Sequence, residues 1–213
     1  LAWGESPHQQ AMKIADSSSV LGDFNNISFH SKGITTTFFK KGFNFWVNTQ
    51  GPDGINHDYK IAYTFGVFPL QQYLIAFPNG AYQCLLTAWD AEEKKWYDLQ
   101  PKLKISHDEW LHWSGGSMTW NNMCADCHST NLKKGYNNKT STYKTTFSEI
   151  NVSCEACHGP SSLHVNHYQN QLKNAVAPQL RMNKNLPSKE LVDQCARCHS
   201  RRSSLTKYFD YKG

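Results

Sequence analysis

Three stretches of the chain place two cysteines three positions apart with a histidine directly after the second. They are Cys124-Ala-Asp-Cys127-His128, Cys154-Glu-Ala-Cys157-His158 and Cys195-Ala-Arg-Cys198-His199. This C-x-x-C-H spacing suits covalent attachment of haem: each thiol adds to one vinyl group, and the adjacent imidazole lies under the iron. Zinc ribbons use pairs of C-x-x-C and dithiol redox proteins use one in a βαβ setting, but neither requires the following histidine. Six of the seven cysteines are thereby assigned, and three haems c are expected. The seventh, Cys84, lies in an apolar run and is expected to be a buried small residue.

His128, His158 and His199 are the expected proximal ligands. What occupies the sixth position of each iron then decides function. Two imidazoles favour electron transfer, whereas an open position favours substrate binding. Seven other histidines are available. His164 follows His158 across a Gly159-Pro160 corner that could send it to a neighbouring haem. His8 stands beside Pro7 where a helix is expected to begin, and His112 sits between Trp110 and Trp113. His57 shares an aromatic strand face, which makes a core histidine nearly as good a reading, and His30 is the weakest of the five. His107 and His167 are expected at the surface.

The elements that must position these groups differ along the chain. Residues 1–33 read as loops with short helical pieces, the turn at Pro7 leading into Ala11-Met12. Ile34–Phe39 and Phe43–Val47 flank a Lys41-Gly42 turn. In His57–Phe65 the odd positions His57, Tyr59, Ile61, Tyr63 and Phe65 alternate with Asp58, Lys60, Ala62 and Thr64, as a half-buried strand requires. Tyr73–Phe77, Pro78-Asn79-Gly80 and Ala81–Trp89 form a hairpin signal, and Lys95–Leu99 reads as a last strand. Together they predict an antiparallel meander of about five or six strands. Tyr63, Phe65, Tyr73, Trp89 and Trp96 are expected to form its core. From residue 100 alternation fades. The attachment motifs are 30 and then 41 residues apart, separated by polar segments. That spacing predicts short helices and loops wrapped around haems, with one helix starting at Pro187-Ser188. The expected fold class is α+β: an N-terminal helical and loop segment (1–33) supplying a distal histidine, an antiparallel β-meander (34–100), and a loop-rich, mainly α multihaem cytochrome c region (101–213).

Composition agrees with bound apolar groups. Hydrophobic residues make up 39% of 213 and mean hydropathy is −0.63, a thin core unless haem macrocycles add apolar mass. No run approaches the roughly 18 apolar residues of a membrane helix. No basic n-region and apolar h-region stand at the start, although thioether attachment is extracytoplasmic. An export signal is therefore expected to have been removed or to lie outside this sequence. The formal charge of +5 falls to about +2 with three ferric haems and about −1 when they are reduced, once propionates and iron are counted. Nucleic acid is not expected as a partner. Lys133-Lys134 and Arg201-Arg202 are read as solvated charges or propionate partners.

Several segments in combination carry a family resemblance. They are Trp3…Ser6-Pro7-His8…Ala11-Met12, Leu21-Gly22-Asp23-Phe24, Ile61-Ala-Tyr-Thr-Phe65-Gly66, Pro69-Leu70-Gln71-Gln72-Tyr73, Trp120-Asn121 with Cys124 to Leu132, Ser148-Glu149-Ile150, Cys154 to Pro160 and Cys195 to Arg202. The chain resembles bacterial multihaem c-type cytochromes, often found with tetratricopeptide repeats, whose haem core is related to the tetrahaem cytochrome of ammonia oxidisers. The resemblance implies distal-ligand roles at positions like His8 and His164, histidines matching His57 and His112, and haems stacked in close parallel or perpendicular pairs. In that family further C-x-x-C-H motifs flank these segments, so the resemblance implies that the chain is part of a longer one, with room for one distal histidine to serve a haem attached outside it. Cys84 matches no family motif.

The expected function is periplasmic or extracellular electron transfer through three mostly bis-His haems, with redox proteins or other multihaem cytochromes as partners. An enzyme with one open haem acting on nitrite, hydroxylamine or peroxide is the alternative. A third is a subunit of a filament or larger assembly in which a haem or ligand is shared between protomers.

Overall fold

The computed structural model describes residues 2–170, 180, 182 and 185–200. Nine strands form one antiparallel sheet: β1 (Met12–Ile14), β2 (Ile27–Ser31), β3 (Ile34–Lys41), β4 (Asn44–Gln50), β5 (Asn56–Phe65), β6 (Leu70–Ala76), β7 (Tyr82–Cys84), β8 (Thr87–Asp90) and β9 (Lys95–Asp98). Its spatial order is β2-β3-β4-β5-β6-β8-β9, with β7 also on β6 and β1 on β5. The sheet curls until its outer strands nearly meet. Ser31 Oγ donates to Asp98 Oδ2 at 2.7 Å, and Lys32 Nζ lies 2.9 Å from the same oxygen.

The hairpin at Pro78-Asn79-Gly80 forms as expected, with Gly80 at a φ of 81° that suits glycine. Its second arm divides into β7 and β8, both paired to β6. The N-terminal segment departs from expectation. Met12–Ile14 is no helix but a strand on the edge of β5 that β4 leaves free, pairing with Tyr63, Thr64 and Phe65. Ile27–Ser31 likewise joins the sheet beside β3. Both depend on partners distant in sequence, and short segments of this kind carry too few residues for a period to show.

The inside of the curl is filled by aromatic rings. Phe38 and Trp96 stack with centroids 3.5 Å apart. Phe24 meets Phe38, Phe45, Tyr73 and Trp96 edge-on at 5.1–5.5 Å, a favoured aromatic geometry. Below Phe24 a buried polar chain ties the incoming segment to β6. Leu21 N–H donates to Gln71 Oε1, Gly22 N–H donates to Tyr73 Oη at 2.9 Å, and Tyr73 Oη donates to Gln71 Oε1 at 2.7 Å. A side chain at Gly22 would place its Cβ 2.6 Å from that phenol oxygen, so glycine permits the approach.

β5 does not keep the single aromatic face read from its alternation. Its register against β6 shifts between Ile61 and Tyr63, a bulge that reverses which side chains face inward. Tyr59 and Ile61 belong to the inner core. Tyr63 and Phe65 belong to a second cluster on the outer face, with Met12, Leu74, Cys84, Trp120 and Ala125.

The mainly α region expected after residue 100 is overturned. Its described helices are short: α1 (Trp120–Met123), α2 (Ala125–His128), α3 (Cys154–His158), α4 (Ser162–Gln169) and α5 (Ser188–Ala196). Between α2 and α3 the chain folds back as a ribbon, β10 (Tyr136–Asn137) on β11 (Thr142–Tyr143). A C-x-x-C-H motif needs only one helical turn to bring its residues to one side, and the Thr-rich, polar stretch between motifs suits extended backbone better than helix. The protein is thus dominated by one barrel-like antiparallel sheet. No described helix is long and apolar enough to cross a membrane.

Tyr73→Phe keeps the ring and removes the hydroxyl from a site with 0% exposure. Gly22 N–H loses its acceptor and Gln71 a donor, so stability is expected to fall by about 1–3 kcal/mol. Urea unfolding of wild type and variant, followed by circular dichroism, measures it.

Candidate functional site

The outer face of β5, β6 and β7 is the floor on which the first attachment motif rests. Trp120, with 0% exposure, stands edge-on to Tyr82 and Phe147. Asn121, also fully buried, accepts Tyr82 N–H at 2.7 Å and donates to Gly80 O and Thr145 Oγ1. These bonds lock α1 to the hairpin tip and set α2 beside it. His128 at the end of α2 lies edge-on to Phe65, centroids 4.5 Å apart. Burial pushes its pKa down to about 4, so the imidazole is neutral at neutral pH, the form that ligates a metal. Burial also pushes the Cys124 thiol up to about 11. Cys84 is buried nearby, receiving Gln72 Nε2–H on its sulfur at 3.2 Å.

Thr130 joins the first motif to the second. Its hydroxyl donates to Asn151 O and accepts Ser153 N–H, both at 2.8 Å. Its backbone pairs with Glu149. Ser153 then precedes α3, which ends at Gly159 with φ 75° and ψ −178°, a conformation essentially confined to glycine. Glu155 Oε1 accepts Ser161 N–H and holds the start of α4 against α3. His158 Nδ1 lies 2.9 Å from Met182 O. The carbonyl can only accept, so Nδ1 carries the proton and Nε2 keeps its lone pair, as in a metal-ligating histidine.

The third motif meets the other two. α5 begins at Ser188, as expected, and leads into Cys195–His199. Arg197 Nη1 donates to Ala156 O at 3.3 Å, and Cys127 Sγ lies 4.0 Å from Arg197 O. Burial first, then the neighbouring Cys198 and Cys195 thiols, push the Cys157 thiol up. The N-terminal segment closes on the same place. Trp3 Nε1–H donates to Val152 O, and Val152 N–H donates to His8 O. The His8 and His199 rings are 6.1 Å apart at 89°.

The other candidates fall elsewhere. His164 lies on α4 with its ring 4.8 Å from Tyr168, and His167 meets Tyr168 edge-on. His30 Nδ1 pairs with Thr35 Oγ1 across the β2–β3 hairpin. His57 Nε2 is 2.7 Å from Asp53 Oδ2. His57 is eight residues from Phe65 along β5, roughly 25 Å at the rise of a strand, so it stands at the opposite end of the barrel from His128. His107 is held there by Pro52 O. His112 also stands at this far end, 4% exposed. Arg201 and Arg202 lie outside the described residues. Thr130 and Asn121 received no role from residue type. Only their place within resembling segments distinguished them.

Residues 82–159 match the family model described as cytochrome c554 and c-prime. That match supports a c-type cytochrome. Comparisons with curated proteins and with solved structures return no match. The matched stretch contains the first two motifs and the turns that seat them. The residues around the motifs also fit covalently held haem. The His128 and His158 imidazoles are in ligating form, and the buried atoms His128 Nδ1, Trp120 Nε1 and Gln9 Oε1 have no protein partner. Leu163, Val165 and Tyr168 on α4 and Leu191 and Val192 on α5 are exposed, apolar faces that a macrocycle can cover. Among the described residues no group of three or more His, Cys, Asp or Glu is arranged to hold a bare ion.

Thr130→Val preserves shape at a position 2% exposed and leaves Asn151 O and Ser153 N–H unpaired. A loss of about 1–3 kcal/mol is expected, with Thr130→Ser retaining most of the wild-type stability. Denaturant midpoints of the three proteins test this.

Proposed function

We propose that the protein is an extracytoplasmic electron carrier with three haems c, attached through Cys124 and Cys127, Cys154 and Cys157, and Cys195 and Cys198, with His128, His158 and His199 as proximal ligands. The observation that carries this reading is the meeting of the three motifs around Arg197, with His8 facing His199. Two imidazoles on opposite sides of one iron have ring centres about 6 Å apart, since each nitrogen lies about 2 Å from the metal and each ring adds about 1 Å. The 6.1 Å separation of His8 and His199 matches that arrangement. His8 would accordingly hold the third motif's haem together with His199, and His164 on α4 would be available to a neighbouring haem.

Haem held by these residues would supply one-electron exchange. The protein's own residues do the rest. Trp120, Phe65 and Ala125 keep water from His128. Met182 O fixes the tautomer of His158. Thr130 and Arg197 hold the motifs against one another so that the redox groups lie close. Donor and acceptor are other redox proteins, docking weakly over a small area.

Pyridine haemochrome analysis of the exported protein should give three haems per chain, and Cys154→Ala with Cys157→Ala should give two. In low-temperature EPR the right-angled His8 and His199 rings should produce a strongly anisotropic low-spin signal. His8→Ala should remove that signal and add one high-spin ferric haem, while His30→Ala leaves the spectrum unchanged. A high-spin haem already present in the wild type, responding to nitrite, would replace this reading with that of an enzyme.

A further inference from the structure

At the end of the barrel away from the haem motifs, a cavity of about 460 Å3 opens between the β2–β3 turn, β4, β8, the end of β9 and the 104–113 segment. Its size is that of a small-molecule site. Phe29, Ile34, Leu85 and Leu86 give it an apolar wall. Two buried polar groups among its lining residues have hydrogens that no protein acceptor takes.

The first is His112, 4% exposed. Its Nδ1 accepts Ser114 N–H at 3.3 Å and lies 2.7 Å from Ser114 Oγ. A backbone N–H can only donate, so Nδ1 is the unprotonated nitrogen and Nε2 bears the hydrogen. Among the described residues nothing accepts that hydrogen. The second is the hydroxyl pair of Thr36 and Thr49, 5% and 4% exposed, whose oxygens are 2.8 Å apart. One hydroxyl donates to the other and the second hydrogen is left over. At the rim Lys32 is already paired with Asp98, and Glu109 Oε1 accepts Ser106 N–H. Lys104 makes no ion pair among the described residues.

Unspent donors at the floor, a cation at the rim and an apolar wall together define the complement. We infer that this cavity binds a small organic carboxylate, its apolar body against Phe29, Leu85 and Leu86 and its oxygens accepting from His112 Nε2–H, the Thr36–Thr49 pair and Lys104. In this role His112 is a binding residue rather than an iron ligand, because its hydrogen-bonded Nδ1 leaves no lone pair on Nε2. The inference does not depend on the number of haems.

Benzoate is a suitable probe and benzylamine its control, since the amine offers a cation where the carboxylate offers acceptors. Calorimetric titration of the haem-loaded protein should show saturable binding of benzoate and none of benzylamine, with the Soret band unchanged throughout. Lys104→Gln, an exposed change that leaves the fold intact, should weaken benzoate at least about threefold. Thr36→Val and His112→Phe should weaken it at least about tenfold, the range expected when a buried hydrogen bond to a ligand is lost. Failure of benzoate to bind, equal binding of the amine, wild-type affinity in all three variants, or a Soret shift marking binding at iron would each overturn the assignment.

Discussion

Side chains on a strand alternate with a period of two, so one inserted residue exchanges the faces served by everything beyond it. Ala62 is that residue in β5. Before it, Tyr59 and Ile61 point into the barrel with Phe24, Phe38 and Trp96. After it, Tyr63 and Phe65 point outward and are available to Trp120, Cys124 and His128. Thr64, now facing inward opposite Tyr73, replaces them in the interior. Without the shift the strand would offer one aromatic face only, and the first attachment motif would have no apolar floor. The same stretch pairs with β1 on its other edge, which carries the N-terminal segment to the place where His8 approaches His199.

The three motifs are supported unequally. The first is built into the protein: Trp120, Asn121 and Ala125 are fully buried, and backbone and side-chain bonds fix α1 and α2 before any cofactor is considered. The second and third stand on α3, α4 and α5, which have no buried residues. Hydrophobic burial drives helix docking in proteins more than propensity does. Helices of five to nine residues with exposed Leu163, Val165, Leu191 and Val192 therefore draw little stability from the polypeptide. On the proposed reading, covalent attachment and macrocycles packed against those side chains would supply their order, coupling cofactor attachment to folding.

This imbalance explains what could be read in the sequence. Strands β3 to β6 and β9 were legible because their residues alternate and because Gly42, Gly54 and Gly80 mark turns, whereas β7 and β8 read as one continuous arm. The phase change in β5 was not, since Ala62 fits an alternating pattern as well as a bulge. β1 and β2 were hidden because their reason for being strands lies in partners on β5 and β3. The C-x-x-C-H spacing was legible locally. Which other histidine meets a motif was not: that depends on the fold, and residue type gives His57 and His112 nearly the same standing as His8. The barrel puts His57 roughly 25 Å along β5 from Phe65, sets His112 in the lining of the cavity at that end, and brings His8 to His199.

For His158 and His112 the partner of Nδ1 fixes the tautomer. A carbonyl at that nitrogen, as Met182 O provides for His158, forces the proton onto Nδ1 and frees Nε2 as a donor of electrons to metal. A backbone N–H at the same nitrogen, as Ser114 provides for His112, forces the proton to Nε2 and makes that atom a hydrogen-bond donor instead. The first tautomer suits a metal and the second an acceptor oxygen. The chain keeps the two kinds apart, so on the readings proposed above cofactor chemistry and recognition of a small molecule would share one sheet without sharing a site.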